Sequence, residues 1–383
     1  MTTDTLSSLA TLDTPAAVLD LARVERNVQR MQARMDALGV AFRPHVKTAK
    51  CLEVAQLQRA AGARGITVST LKEAESFFAA GFDDILYAVG IAPAKLDRAL
   101  ALRRRGCALK LLVDSVDAAR AVAAHGRAHG ETHEVWIEID TDGHRAGIAP
   151  DDAALPAIGR LFADGGARIG GVLAHAGSSY ACDTPAALAA LAEQERARCV
   201  LAAERLRAQG IPCEAVSVGS TPTALSAASL AGVTEVRAGV YAFFDLVMHN
   251  VGVCALDDLA LSVVTTVIGH RPDQGWAIVD AGWMALSRDR GTARQRRDYG
   301  YGLPCTLDGA PLEGFTISGA NQEHGILSRT HGEPCPDIVT RFPLGARLRI
   351  LPNHACATGA QFPFYHALAA DGSAALWSRF HGW

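Results

Sequence analysis

The sequence predicts an α/β protein: a closed (β/α)8 TIM barrel followed by a C-terminal, mainly antiparallel β domain. Three observations lead there. Between about residues 22 and 251, eight short apolar, β-branched runs alternate with longer helical patterns, the signature of a parallel sheet covered by helices. After about residue 252 the alternation stops, and strand-like runs separated by Gly, Pro and Asp turns take over. The chain has 383 residues, 49% of them apolar and 20% charged, which is enough material for two cores.

The elements follow in order. TPAAVLDL (14–21) is strand-like, precedes the barrel and is a candidate to pair with the second domain. RVERNVQRMQARMDAL (23–38) has helical periodicity. The barrel strands are VAFRPHV, GITVST, DILYAVG, LKLLVD, EVWIEID, IGGVLAHAG, AVSVGS and EVRAGVY, with helical patterns such as TLKEAESFFAAG and TPAALAALAEQERARCVLAAERLRAQG between them. Gly closes several of these helices, as a C-cap does. A doubly wound open sheet is the alternative arrangement. In a barrel the chemistry sits at the C-terminal strand ends, which here carry HVKT, DTDGHR, HAGSSY, VGSTPT and AGVY. The later strands are LALSVVTTVIGH, GWAIVDAGW, GFTISGANQEHGIL, ARLRILPNHACAT and AALWSRF. The expected division is a barrel over 22–251 and a β domain over 1–21 and 252–383.

Composition narrows the function. The net charge is −3, from 37 basic and 40 acidic residues spread along the chain, and RRR at 103–105 reads as a helix end, so no nucleic-acid partner is expected. Residues 1–18 lack both a basic start and an apolar run, and no stretch is long enough to span a membrane. Nine scattered cysteines without a CxxC pair fit reduced thiols, hence a cytoplasmic enzyme.

Three short stretches offer chemistry. In SVGSTPTAL (217–225) a strand ends at Gly219, with Thr221 as the expected N-cap and Pro222 at the first helical position. The amides of Gly219, Ser220 and Thr221 could hold an anion, and a phosphate site after strands seven and eight is common in barrels; an ordinary capped turn is the alternative. VRAGVY (236–241) supplies the eighth strand end. Lys47, in RPHVKTAK after strand one, would face that pocket, where partial desolvation and nearby cations free an amine to attack a carbonyl. A phosphorylated aldehyde suits both features, and pyridoxal phosphate is the obvious one. The third stretch is LPNHACATG (351–359). On a strand His354 and Cys356 would share a face, and imidazole plus thiolate suits Zn²⁺, with solvent or substrate completing an open shell. A half-buried His beside a small apolar Cys is the competing reading.

Taken together these stretches resemble fold-type III pyridoxal-phosphate enzymes, with a TIM barrel of alanine racemase type, and within them the D-serine dehydratase and D-threonine aldolase family. The resemblance runs from TLDTPAAVLDL through RPHVKTAK, GITVSTLKEAE, EIDTDGHRAG, HAGSSY, SVGSTPT, EVRAGVY, DAGWMALSRDRG and GANQEHGIL to LPNHACATGAQFP. It implies that Lys47 is the Schiff-base lysine and that His354 and Cys356 are metal ligands. It places the phosphate cradle on Ser220, Thr221, Gly239, Val240 and Tyr241, Arg145 near the phenolic oxygen of the cofactor, and His175 and Tyr180 near its ring. The implied cofactors are pyridoxal 5′-phosphate and a divalent metal, zinc first, with manganese, cobalt or magnesium as alternatives. The partner is a small D-3-hydroxy amino acid, and a homodimer is left open.

The implied activity is a dehydratase: Lys47 removes the α-proton and the metal assists departure of the β-hydroxyl. D-threo-3-hydroxyaspartate would give oxaloacetate and ammonia. D-serine dehydration, aldolase-type cleavage to glycine and an aldehyde, and a non-enzymatic cofactor carrier are the alternatives, while the metal pair argues against a racemase. A substrate β-carboxylate would want a cation, and SRDRGTARQRR offers Arg288, Arg290, Arg294, Arg296 and Arg297, although a solvated basic loop is the simpler reading. Glu323 and His324 are placed for an acid–base role without local proof.

Overall fold

The computed structural model describes residues 9–383; the first eight residues of the segment expected over 1–21 lie outside them. Contacts divide the chain into two compact units, one made of residues 29–239 and 380–383 and the other of residues up to 28 and 240–379. The chain enters on β1 (Ala16–Asp20) and the helix Leu21–Ala37.

The first unit is the barrel. Its strands are β2 (Ala41–Phe42), β3 (Ile66–Val68), β4 (Asp84–Gly90), β5 (Ala108–Val113), β6 (His133–Ile139), β7 (Ala167–Ala174), β8 (Ala215–Val218) and β9 (Glu235–Val236). They pair in parallel in the order β2-β9-β8-β7-β6-β5-β4-β3. Closure falls on the segment after β2. On one side the amides of Arg43 and His45 donate to the Val236 and Ala238 carbonyls, at 2.9 and 2.8 Å. On the other, Thr67 N–H donates to Pro44 and Val46 N–H to Thr67, at 2.8 and 2.9 Å, forming a parallel bridge at His45 and Thr67. Pro44 has no amide to give, which is why regular strand ends at Phe42 while pairing continues.

Burial on both sheet faces explains why these strands read as unbroken apolar runs. Inside the barrel a polar chain replaces part of that packing. The Arg43 guanidinium meets both Asp84 oxygens at 2.9 and 3.0 Å and Glu235 Oε2 at 2.9 Å. Ser217 Oγ donates to Glu235 at 2.7 Å, and Arg237 donates to Ser217 Oγ and the Ala174 carbonyl at 2.5 and 2.6 Å. Removing one partner of a buried pair leaves the other charge stranded, so Arg43→Leu is expected to destabilise the barrel by about 3–5 kcal/mol, read as an earlier urea midpoint. Asp84 carries the pH dependence. Burial pushes its carboxyl up, but Arg43 and Lys110 more than offset this and hold it below its ordinary value. Its contribution is therefore full above about pH 4, the unfolded value, and is lost as pH falls through the lower folded value.

The second unit is a nine-stranded sheet. Beside β1 it contains β10 (Leu261–Arg271), β11 (Trp276–Val279), β12 (Leu303–Cys305), β13 (Phe315–Ala320), β14 (Gly325–Arg329), β15 (Arg347–Leu351), β16 (Phe364–Leu368) and β17 (Ala374–Ser378). The main order is β13-β14-β11-β10-β1-β16-β17, with β15 pairing both β10 and β12. All pairs are antiparallel except β1 with β16, so the early strand joins the late domain, as its position ahead of the barrel suggested. The core gathers Val263, Val279, Phe315, Ile317, Leu327 and Ile350.

Candidate active site

Lys47 sits in a tight turn immediately after the strand that closes the barrel. Lys50 N–H donates to the Val46 carbonyl at 2.8 Å, and Lys50 itself has φ +45°, unusual for a side chain beyond Cβ. Three contacts hold that conformation. Lys50 Nζ lies 3.3 Å from Glu73 Oε1, its carbonyl accepts from Phe380 N–H at 2.6 Å, and its ammonium rests 5.7 Å from the Trp383 ring centroid. Phe380 is anchored in turn by an edge contact with Phe77 at 4.9 Å. Lys50 is thus committed to structure, while Lys47 is half-buried and, among the described residues, makes none of these three contacts. Phe380→Ala is expected to speed amide hydrogen exchange across residues 46–50 about tenfold, the equivalent of one hydrogen bond, with β5 unchanged.

Around Lys47 the barrel gathers positive charge. His175, at the end of β7, donates from Nδ1 to the Gly219 carbonyl at 3.1 Å, which leaves Nε2 as an acceptor. Burial first, and then the Lys47 ammonium, push its imidazole down to about 3. Burial, Lys47 and Arg237 also push His45 well below the usual range. Both rings are therefore held neutral, by burial first and by the neighbouring cations second. Arg145, in the turn after β6, is half-exposed and paired with the buried Glu138 at 3.0 Å. Tyr180 follows β7, its ring centroid 6.1 Å from that of His175.

Beyond β8 the chain makes a cradle. Gly219 has φ +133°, and a Cβ there would meet the Arg237 carbonyl at 2.2 Å, so only glycine fits. Ser220, not Thr221, caps the helix Thr221–Ser226: its Oγ accepts from Thr223 N–H at 3.2 Å, and Thr221 and Pro222 lie inside the first turn. The capping box with Thr223 decides between the two hydroxyls, and Ser220 Oγ also meets Ser179 Oγ at 2.8 Å. Gly239 lets the end of strand eight approach strand one, since a Cβ there would meet the His45 carbonyl at 2.8 Å. Buried hydroxyls, glycine-permitted backbone and flanking cations fit an anionic, phosphorylated ligand. Val240 and Tyr241 follow in a 3-10 turn and are buried in the β unit.

The β unit places His354 and Cys356 next to each other, but not on a strand. β15 ends at Leu351, and Pro352 stops its pairing. His354 then becomes the N-cap of the short helix Ala355–Gly359, which carries Cys356 in its first turn. Asn353, buried beneath, fixes the turn by bonding Gly300 and Thr292 at 2.6 and 3.0 Å. Asp245 binds it from the side, accepting from Ala355 N–H at 2.9 Å. His354 Nδ1–H donates to Asp289 Oδ2 at 2.6 Å, leaving Nε2 for another partner. Burial pulls the imidazole down, yet Asp289, Cys356 and Asp245 more than offset it and push it up to about 11. An imidazole oriented by a carboxylate on Nδ1, with a thiol in the first turn of the helix it caps, is a donor set that suits a divalent cation.

Four of the five arginines of the SRDRGTARQRR stretch have partners within the β unit. Arg288 stacks on Trp283 at 4.3 Å, Arg290 pairs with Asp298 at 2.7 Å, Arg296 donates to the His249 carbonyl at 3.0 Å and Arg297 lies over Tyr299 at 4.5 Å. Glu323 and His324 are exposed in the turn between β13 and β14.

Residues 19–247 match the family described as alanine racemase, N-terminal domain, and residues 260–368 match a putative serine dehydratase domain. The chain belongs to the alanine racemase-like family. Within this family it is 71% identical to D-threo-3-hydroxyaspartate dehydratase of Delftia sp. (strain HT23), over 98% of this chain and 99% of that one. It is 33% identical to a D-threonine aldolase of Arthrobacter sp., over 90% and 86% of the two chains. The solved structure of the Delftia dehydratase superposes with a TM-score of 0.97, covering 98% and 99% of the chains at 71% identity. D-threo-3-hydroxyaspartate dehydratase has also been solved as a histidine-to-alanine variant and as a cysteine-to-alanine variant in the metal-free form, both 70% identical to this chain, the two positions being two apart.

Several supporting residues are invisible to sequence reasoning. Buried Glu195 accepts from both Ala176 N–H and Gly219 N–H at 2.9 Å, so one carboxylate braces the loops after β7 and β8. Arg237, Asp245 and Asp289 play similar roles. The SRDRGTARQRR stretch also holds Asp289, the partner of His354, but nothing local sets that acid apart from the basic loop around it.

Proposed function

We propose that this chain is a lyase eliminating water from a D-3-hydroxy amino acid, with D-threo-3-hydroxyaspartate as substrate and oxaloacetate and ammonia as products. The observation that carries the reading is the 71% identity to D-threo-3-hydroxyaspartate dehydratase along almost the whole chain. We assign pyridoxal 5′-phosphate to the barrel unit and a divalent metal, zinc first, to the β unit. When bound, the cofactor would supply an electron sink for charge at the α-carbon, and the metal a Lewis acid for the β-hydroxyl.

The residues then divide the work. Lys47 Nζ would hold the cofactor covalently, and its amine would be the base for the α-proton. Ser220, Thr221, Gly239, Val240 and Tyr241 hold the phosphate, and Arg145 lies by the phenolic oxygen. His175 and Tyr180 lie near the ring, with the neutral His175 Nε2 able to accept a hydrogen bond. His354 Nε2 and Cys356 Sγ hold the metal, and Asp289 keeps His354 in the tautomer that this requires. The metal-free cysteine variant of D-threo-3-hydroxyaspartate dehydratase supports this pair, since the histidine and cysteine variants of that enzyme are spaced like His354 and Cys356.

The test is a product assay with D-threo-3-hydroxyaspartate, D-serine and D-threonine. Oxaloacetate with equimolar ammonia, and slower turnover of the other two, is the expected result. Glycine plus an aldehyde without 2-oxo acid would make the chain an aldolase instead. Preference for L-isomers would overturn both readings, because Lys47 would lie on the wrong face to take the α-proton.

A further inference from the structure

The barrel unit carries a second group of metal-ligating side chains that the proposed reaction does not use. Asp97 lies on the helix Leu96–Arg104, His125 and His129 one turn apart on the helix Val116–His129, and His133 opens β6. The His125 and His129 rings share a face, their centroids 4.3 Å apart, as i and i+4 positions do. His125 Nε2 is 3.0 Å and His129 Nε2 3.9 Å from the same Asp97 oxygen, and the three ligand atoms all lie within 4.8 Å of one another.

Each ring is oriented from behind. His129 Nδ1–H donates to the His125 carbonyl at 2.9 Å, so its Nε2 lone pair faces Asp97. His125 Nδ1 lies 3.0 Å from His133 Nε2, and His133 Nδ1 lies 3.3 Å from an Arg103 nitrogen. A guanidinium only donates, so His133 Nδ1 accepts and its proton sits on Nε2. His125 Nδ1 must then accept in turn, which puts the His125 proton on Nε2, pointing at Asp97. His133 is fully buried, and burial and Arg103 push its imidazole down to about 4, so it takes no second proton.

We propose that Asp97, His125 and His129 form a second divalent-metal site on the outer helices of the barrel unit. Two imidazole nitrogens and a carboxylate oxygen suit a borderline ion such as Zn²⁺ or Ni²⁺, with solvent filling the remaining positions because Asp97 and His129 are exposed. Binding moves two protons without releasing either. His125 shifts its proton from Nε2 to Nδ1 and donates it to His133, and His133 shifts its own to Nδ1. That proton then faces the Arg103 N–H, donor against donor, so Arg103 must swing away. Arg103 therefore opposes the site, and a metal here need not touch catalysis.

The test uses Ni²⁺ as probe on the holoenzyme, with calorimetry for affinity and elemental analysis for total metal per chain. Wild type is expected to take up one Ni²⁺ beyond any metal already present. His125→Ala and Asp97→Asn should weaken that event at least about tenfold, the scale on which losing a group at a metal site acts. Arg103→Leu should tighten it several-fold by removing the opposing donor. Asp97→Asn is isosteric and exposed, so its result does not depend on folding. Unchanged uptake in the His125 and Asp97 variants, or no extra uptake in wild type, would overturn the site; weaker binding in Arg103→Leu would overturn the opposition by Arg103. These outcomes are independent of the proposed reaction, since a chain that turned over no hydroxy acid would still bind the ion here.

Discussion

Lys47→Ala is expected to eliminate turnover of D-threo-3-hydroxyaspartate, by at least about 10⁴-fold, the upper range for losing a single acid–base group, because covalent attachment is lost with the base. The choice of lysine rests on geometry. Lys50 is three residues away and carries the same charge, but its ammonium is held by Glu73 and Trp383 and its backbone is in a left-handed conformation. Releasing it for chemistry would break those contacts. Lys47 lies beside His45 and His175, and its charge contributes to the low imidazole pKa of both. Borohydride reduction of the loaded enzyme followed by peptide mapping should find the pyridoxyl group on Lys47. A label on Lys50 would reverse the assignment, and a Lys50→Ala protein that stayed active would reinforce it.

The barrel strands were legible because both faces of a parallel sheet are buried, so β5 and β7 appear as plain apolar runs. The strand end that carries Lys47, the close approaches at Gly219 and Gly239 and the nearness of His354 to Cys356 were legible because each is a local pattern with a local physical reason; the roles proposed for these residues are what the experiments test. The misreadings were also local. Leu351 is followed by Pro352, which ends a strand, but the sequence alone did not show that the next residues turn into a helix; the spacing of two holds His354 and Cys356 together in either geometry. Thr221 lost the N-cap to Ser220 because the capping box needs Thr223 three positions on. The braces were not legible at all. Glu195 sits in the middle of a long charged helix, where nothing distinguishes a buried carboxylate from a solvated one. Asp289 finds His354 across 65 positions, and that pairing exists only once the sheet is folded.

Chelation is expected to stop turnover and added Zn²⁺ to restore it, with His354→Ala and Cys356→Ala each losing at least about 10³-fold, roughly 4 kcal/mol of barrier, even when metal is supplied. The fold should survive in both. His354 and Cys356 lie at the start of a five-residue helix, and the turn beneath them is held by Asn353 and Asp245, whose bonds to Gly300, Thr292 and the Ala355 amide do not involve the metal. Cofactor absorbance in these variants should therefore match wild type while product formation is absent. Asp289→Asn separates positioning from ligation. It keeps the shape but replaces the carboxylate that fixes Nδ1–H, so metal affinity should fall about 10–100-fold, as for other partners behind a ligating histidine, and saturating metal should recover most of the activity. A rigorously metal-free His354→Ala protein with full activity would sink the metal assignment. An Asp289→Asn protein whose loss could not be rescued by metal would show that the carboxylate does more than orient the ring.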